Sequence, residues 1–372
     1  MKFVIITHVP HIVEQNQYFA YAPYVREMNI WIKKVDELCV VAPESKFNKT
    51  AIDIHYEHKN IEFVPVANFD VLNFKGILIS IIKLPGICWN IYSAMKTADH
   101  IHLRCPGNMG LLGSLIQILF PKKAKTAKYA GNWDSKSKQP LSYKLQKWIL
   151  SNTFLTRNMQ VLVYGEWEES SKNLKPFFTA TYYEADKKPI LTKNLQDQIN
   201  FVFVGSLVAG KNPLYAIQLV EFLFKKGYNV ALALYGEGKE RSKLEHYINV
   251  NNLENCISLK GNQTQDRVRE EYEQCQFVIL PSNSEGWPKA VAEGMFWGCV
   301  PVATQVSCVP LMLDYGNRGA LLEMDLEKDV AQLEILLQKE ADFVIKSQKA
   351  SDWSRKFTLD VFEQEIEKLM KQ

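Results

Sequence analysis

Short apolar runs alternate with longer segments of helical periodicity from one end of the chain to the other. In the first half, Phe3–Thr7, Leu38–Ala42, Ile61–Val66, His100–Leu103, Thr126–Ala130 and Gln160–Tyr164 are short and rich in β-formers. Such runs predict strands buried on both faces. Between them, Tyr18–Lys34, Gly76–Lys96, Met109–Phe120 and Ser142–Leu155 carry helical spacing. A break is expected at Leu84-Pro85-Gly86, because an interior proline removes a backbone donor. The pattern restarts near Asn200 with Phe201–Gly205, Val230–Tyr235, Cys256–Leu259, Phe277–Pro281 and Val300–Ala303 as strands and helices between them. Two βαβ series separated by the polar stretch 184–198 predict an α/β protein of two doubly wound, Rossmann-like domains. Their expected spans are 1–185 and 186–348, with residues 349–372 closing the chain as a helical tail.

Composition narrows the function classes. The 372 residues are 47% hydrophobic, enough for two large cores. Seven widely spaced cysteines with no Cys-x-x-Cys pair exclude a zinc ribbon and read as reduced core thiols. The opening apolar run is too short for a secretory signal, and no run approaches about 18 apolar residues, so a cytoplasmic location is expected. A net charge of +3 is too weak to point to nucleic acid. The halves differ, however: residues 1–185 carry 22 Lys and Arg against 15 Asp and Glu, and residues 186–372 carry 22 against 26. Much of the excess lies in Lys122, Lys123, Lys125, Lys128, Lys136, Lys138, Lys144 and Lys147, opposed only by Asp134. That run fits an anionic membrane surface or a phosphate-bearing acceptor, with the protein peripheral on the inner face of the plasma membrane.

The segment FVILPSNSEGWPKAVAEGMFWGCVPVA, residues 277–303, carries the most chemistry. A buried strand runs into a loop and then a helix expected to begin near Trp287 or Pro288, with proline at its first position. This turn presents backbone N–H groups at the C-terminal edge of a parallel sheet, where α/β folds bind anions. Glu285 sits on the loop, and Glu293 follows eight residues later; both are expected to border one cleft and to bind sugar or ribose hydroxyls. Upstream, FVFVGSLVAGKNP places Gly205, Ser206 and Lys211 between a strand and a helix. His100 and His102 fall on one strand and are expected to point to opposite faces, which disfavours joint metal binding.

The spacing Glu285-x7-Glu293, the start Ser284-Glu285-Gly286 and the ending Gly298-Cys299-Val300-Pro301-Val302-Ala303 resemble the donor site of family-four retaining glycosyltransferases, which have the GT-B fold. The resemblance covers about 200–321. It implies two domains facing a cleft and a last helix that crosses back to the N-terminal domain. It also implies transfer of a sugar from a nucleoside diphosphate sugar, UDP- or GDP-linked, to a hydroxyl, with retention, and no other cofactor. Lys211 is the implied cation on the diphosphate and, with Glu285, the catalytic pair. Gly205, Ser206, Gly261, Gly286, Trp287, Pro288, Lys289 and Glu293 complete the implied donor-binding set. Ser206 stands where the family has arginine, so one guanidinium is missing from the leaving-group side. The family's first-loop glycine pair is also absent; Thr7-His8-Val9-Pro10-His11 stands there. His8 and His11 are taken as cleft residues, Arg104 as a phosphate contact, and Asn132, Trp133 and Asp134 as an acceptor rim. No Asp-x-Asp pair occurs, which argues for transfer without a metal. The implied acceptor is a saccharide or lipid-linked saccharide of cell-surface polysaccharide or lipopolysaccharide. A non-catalytic subunit of the same fold and a nucleotide-sugar epimerase are the competing readings. A dinucleotide oxidoreductase is disfavoured by the absence of Gly-x-Gly-x-x-Gly after either first strand.

Overall fold

The computed structural model describes residues 1–50, 52–67, 74–167 and 171–371. The chain forms two compact units: Met1–Phe177 with Glu363–Gln372, and Phe178–Phe362. The division falls eight residues before the expected 185/186 boundary. Phe178 packs on Phe357 and Phe362, and Tyr182 on Phe296 and Trp297, so this stretch is held by the second core.

The first unit is built on a seven-stranded parallel sheet. Its strands are β1 (Lys2–Ile6), β4 (Glu37–Pro43), β6 (Ile61–Val66), β7 (His100–Cys105), β8 (Ala124–Tyr129), β9 (Met159–Tyr164) and β10 (Leu174–Phe177), in the order β10-β9-β8-β7-β1-β4-β6. Three short strands, β2 (Ile12–Glu14), β3 (Gln17–Tyr21) and β5 (Asp53–His55), form a separate antiparallel ribbon. Hence the expected helix at Tyr18–Lys34 shortens to α1 (Ala22–Trp31), opened by a proline in its first turn. Helix α2 (Phe74–Thr97) continues through Pro85 rather than breaking there. The lost backbone bond is offset by burial of Ile87, Ile91, Ala94 and Met95 against the sheet. Helices α3 (Asn108–Ile116) and α4 (Leu141–Ser151) share that core cluster.

His100 and His102 correct an expectation. Residues two apart on a strand share a face, and both rings meet Thr126 Oγ1 at 2.9 Å. Phe3 stacks on both.

The second unit has a six-stranded parallel sheet of β11 (Ile199–Val204), β12 (Val230–Tyr235), β13 (Ile257–Gly261), β14 (Phe277–Leu280), β15 (Val300–Thr304) and β16 (Ala320–Leu322). The order β13-β12-β11-β14-β15-β16 is doubly wound, reversing between β11 and β14. Its helices are α5 (Pro213–Lys225), α6 (Arg241–Val250), α7 (Gln265–Gln274), α8 (Lys289–Phe296), α9 (Val309–Met312), α10 (Leu326–Leu337) and α11 (Glu340–Ser354).

The last helix, α12 (Leu359–Met370), starts in the second unit and ends in the first. Glu363, Glu365 and Glu367 pair with Lys33, Lys175 and Lys34. Only Glu363–Gln372 joins the first unit, rather than all of 349–372, because α11 packs on α8 and β15.

Candidate functional site

Each doubly wound sheet leaves a crevice at its switch point, where two neighbouring strands send their connections to opposite faces. In the second unit that point lies between β11 and β14. The β11 loop carries Gly205 to Lys211, and the β14 loop carries Ser282 to Pro288. The two loops are tied together: Asn283 N–H donates to the Gly210 carbonyl at 2.9 Å. Asn212, in the left-handed conformation (φ 48°), donates through Nδ2 to the Pro281 carbonyl at 2.8 Å and to Asn283 Oδ1 at 2.6 Å. Across this junction Lys211 Nζ pairs with Glu285 Oε1. Glu285 is buried, while Lys211 stays partly exposed. Chain approach around them is close. A Cβ on Gly236, whose φ is +142°, would lie 2.0 Å from the Gly205 carbonyl oxygen. At the sheet's far side Gly261 (φ +68°) sits at a bulge, its carbonyl accepting from Gly236 N–H.

Helix α8 begins at Lys289, with Pro288 as its N-cap rather than its first helical residue. No side chain caps it, so its leading N–H groups and positive dipole end face the strand-end edge. Gly286 is fixed from behind, its carbonyl accepting from Ser307 Oγ at 3.3 Å and Cys308 Sγ at 3.1 Å. Glu293 is one turn in. Its carboxylate accepts from Thr181 Oγ1 at 2.7 Å and from the Tyr272 hydroxyl at 3.5 Å. It therefore faces a recess shared with Lys289, Ser354 and Phe357, and a different set of side chains from the Lys211–Glu285 pair.

In the first unit the switch point lies between β1 and β7. A cavity of about 250 Å³ lies there, lined by His8, Pro43, Gly107, Asn108, Met109 and Tyr143. Arg104, at the end of β7, is turned inward. It pairs with Glu27, whose other oxygen accepts from the buried Lys128 Nζ at 2.9 Å.

Residues 186–355 match the family model described as glycosyl transferases group 1. An uncharacterized glycosyltransferase of Methanocaldococcus jannaschii is 28% identical over 193 residues, covering 50% of this chain and 51% of the relative. The amylovoran biosynthesis glycosyltransferase AmsK of Erwinia amylovora is 27% identical over 157 residues, 40% of this chain and 39% of AmsK. The chain thus spans about half, or less, of the length of these curated relatives. The solved structure of the Anabaena HepE protein in complex with UDP and glucose aligns with a TM-score of 0.70 at 13% identity, covering 100% of this chain and 99% of that one. Residues 186–355 form a glycosyltransferase group 1 domain. The two-sheet fold is GT-B.

Of the residues expected to form the donor site, the group 1 domain brings together Gly205, Ser206, Lys211, Glu285 and Gly286 on the two tied loops. Ser206 is exposed at the loop's outer side. Trp287 turns away from them, stacking on Trp353 and meeting Phe357 edge-on.

The expectations for the first unit need more correction. His11 does not line a cleft: it is fully buried, bonded to the Val9 carbonyl and the Tyr56 hydroxyl at 2.8 Å each. Burial pushes its pKa down to about 4. Arg104 is committed to Glu27. Trp133 is buried edge-on against Tyr129 rather than standing on a rim. Asn132 is buried and caps its own turn, accepting from Asp134 N–H at 2.9 Å. His8 alone of that set lines the cavity. Among the described residues, no group of three or more His, Cys, Asp or Glu is placed to hold a metal ion.

Sequence reasoning missed three residues that shape the group 1 domain. Asn212 locks the two loops, and an asparagine before a helix-opening proline was its signal. Thr181 reaches Glu293 from 112 residues away, with no local signal. Lys193 is buried and donates to the carbonyls of Tyr272, Cys275 and Trp297 at 2.8, 2.6 and 2.9 Å, closing the C-terminal ends of α7 and α8.

Proposed function

We propose that the protein transfers a sugar from a nucleoside diphosphate sugar, UDP- or GDP-linked, to a hydroxyl of a saccharide or lipid-linked saccharide. The transfer retains anomeric configuration, needs no metal ion, and serves cell-surface polysaccharide or lipopolysaccharide assembly. The observation that carries this reading is the Lys211–Glu285 pair at the switch point of the group 1 domain. An ammonium beside uncapped helix N–H groups suits a diphosphate, and a buried carboxylate beside it suits sugar hydroxyls. The UDP and glucose held by HepE support the same donor class.

In this mechanism Lys211 neutralises charge that develops on the leaving diphosphate. The ammonium has three donors, so it serves the phosphate while keeping Glu285. Glu285 then orients the donor sugar. Glu293, held by the Thr181 and Tyr272 hydroxyls, accepts a ribose hydroxyl. The acceptor oxygen attacks on the face the diphosphate leaves. Its proton passes to a leaving phosphate oxygen as one C1–O bond breaks and the other forms.

The test is turnover of a panel of UDP- and GDP-sugars with a saccharide acceptor, with the product's anomeric proton read by NMR. Retained configuration and full activity in excess chelator are expected. An inverted product overturns retention, and activity lost to chelator and restored by magnesium overturns the metal-free reading. A sugar epimerised with no acceptor consumed overturns the transfer itself.

A further inference from the structure

Helices α2, α3 and α4 pack side by side over one face of the first sheet, with α3 against both neighbours. Their inner side is ordinary core: Ile91, Met95, Met109, Leu112 and Leu150 are buried. Their outer side is also apolar. On α4, Leu141, Leu145 and Trp148 lie within about 60° of one another around the helix axis. They are 83%, 45% and 59% exposed. Trp89 on α2 is 67% exposed, and Leu119, just past α3, is 65% exposed. Trp89 stacks on Tyr92, and Tyr92 meets Phe120 at a tilt, which joins α2 to the turn after α3 in one shelf.

The stretch of chain that carries this face is strongly basic. Between residues 82 and 158 the acidic side chains are Asp99 and Asp134 alone. Lys83, Lys122, Lys136, Lys138, Lys144 and Arg157 are exposed. The remaining lysines of the basic run are used inside the unit. Lys125 reaches the Phe120 carbonyl, Lys128 pairs with Glu27, and Lys147 bonds the carbonyls of Trp133 and Asp134. The basic run in the sequence is thus partly structural; of its exposed members, Lys144 shares α4 with Leu141, Leu145 and Trp148, Lys136 and Lys138 lead into α4, and Lys122 follows Leu119. An occupant that accepts apolar side chains, favours tryptophan at its boundary and carries dense negative charge is an anionic lipid surface.

We propose that the outer face of the α2–α4 layer docks on an anionic bilayer, with Leu141, Leu145, Trp148 and Trp89 entering the headgroup–acyl boundary and the exposed lysines against the headgroups. Among the described residues no helix is long and apolar enough to cross a membrane, so this contact lies in the plane of the surface. It does not depend on the sugar-transfer reading.

The test is co-sedimentation of the full chain with vesicles of phosphatidylcholine alone and of an equimolar phosphatidylcholine–phosphatidylglycerol mixture. Binding to the mixed vesicles alone is expected, weakening as salt rises. Lys144→Glu should lower partition by about fivefold or more, and the pair Leu141→Ser with Trp148→Ser should abolish it. Both positions are exposed, so circular dichroism should stay unchanged. Free inorganic phosphate should not compete, which separates a lipid surface from a simple anion site. No binding to mixed vesicles at low salt, binding unaffected by either set of variants, or competition by phosphate overturns the proposal. So does a dimer in sedimentation equilibrium that the Leu141–Trp148 variant dissolves, since the face then belongs to a second copy.

Discussion

The two switch points share a topology and differ in chemistry. In the second unit the crevice between β11 and β14 holds a partly exposed lysine, a buried carboxylate and glycines that allow close chain approach. In the first unit the crevice between β1 and β7 opens into a cavity with His8 at its rim, while Arg104 and Lys128 turn inward to Glu27. A doubly wound sheet thus supplies a location, and local side chains decide its use. At its crevice the second unit keeps Lys211 partly exposed, whereas the first turns Arg104 and Lys128 inward to a buried carboxylate.

The largest expected difference between the units is catalytic. Lys211→Ala should lower kcat/KM by about 10²–10³, the usual cost of one preorganised group at a leaving oxyanion. His8→Ala should cost less than about tenfold, as an uncharged loop side chain lining the first unit's cavity. Steady-state rates of the two variants decide it, and a larger loss for His8→Ala inverts the comparison.

Stability comes next. Trp133→Ala removes a buried indole packed on Tyr129 and should cost about 3–5 kcal/mol in chemical unfolding. The KM of the remaining folded protein should not change. A raised KM with unchanged stability would return Trp133 to an acceptor rim.

The third difference is a pH response confined to the first unit. Burial pushes His11 and His100 down to about 4 and His102 well below its usual value. Between pH about 6.5 and about 4 the unfolded chain binds these protons and the native one does not. Stability therefore rises with pH across that window and is lost on acidification, by about 2 kcal/mol per histidine near pH 5. Hydrogen exchange should show β1 and β7 losing protection before β11 and β14. Equal loss in both units contradicts this assignment.

The smallest effect sharpens the donor site. Ser206→Arg restores a guanidinium on an exposed loop position and should raise kcat/KM severalfold. An unchanged or lower value, measured with the same donor, means that Lys211 and the α8 N–H groups already suffice.

The sequence made the second unit more legible than the first. Five of its six strands, the positions of Lys211 and Glu285, and the loops that carry them follow from local runs of residues with one period each; the three-residue β16 was too short to show. The first unit's side chains depend on partners far along the chain: Arg104 on Glu27, Lys125 on Phe120, His11 on Tyr56. A charged or aromatic residue at a strand end reads the same locally whether it faces a ligand or a buried carboxylate. The β2–β3–β5 ribbon was hidden for a related reason. Gln17–Tyr21 is followed directly by α1, and the apolar residues of both merge into one helical-looking period.

The central claim is that the Lys211–Glu285 junction binds a nucleoside diphosphate. Calorimetric titration of UDP and GDP into the full chain, into Lys211→Ala and into His8→Ala tests it most directly. One of the two nucleotides should bind at a single site, at least tenfold more weakly to Lys211→Ala and equally well to His8→Ala. Binding of neither nucleotide, or binding that Lys211→Ala leaves intact, would contradict the account.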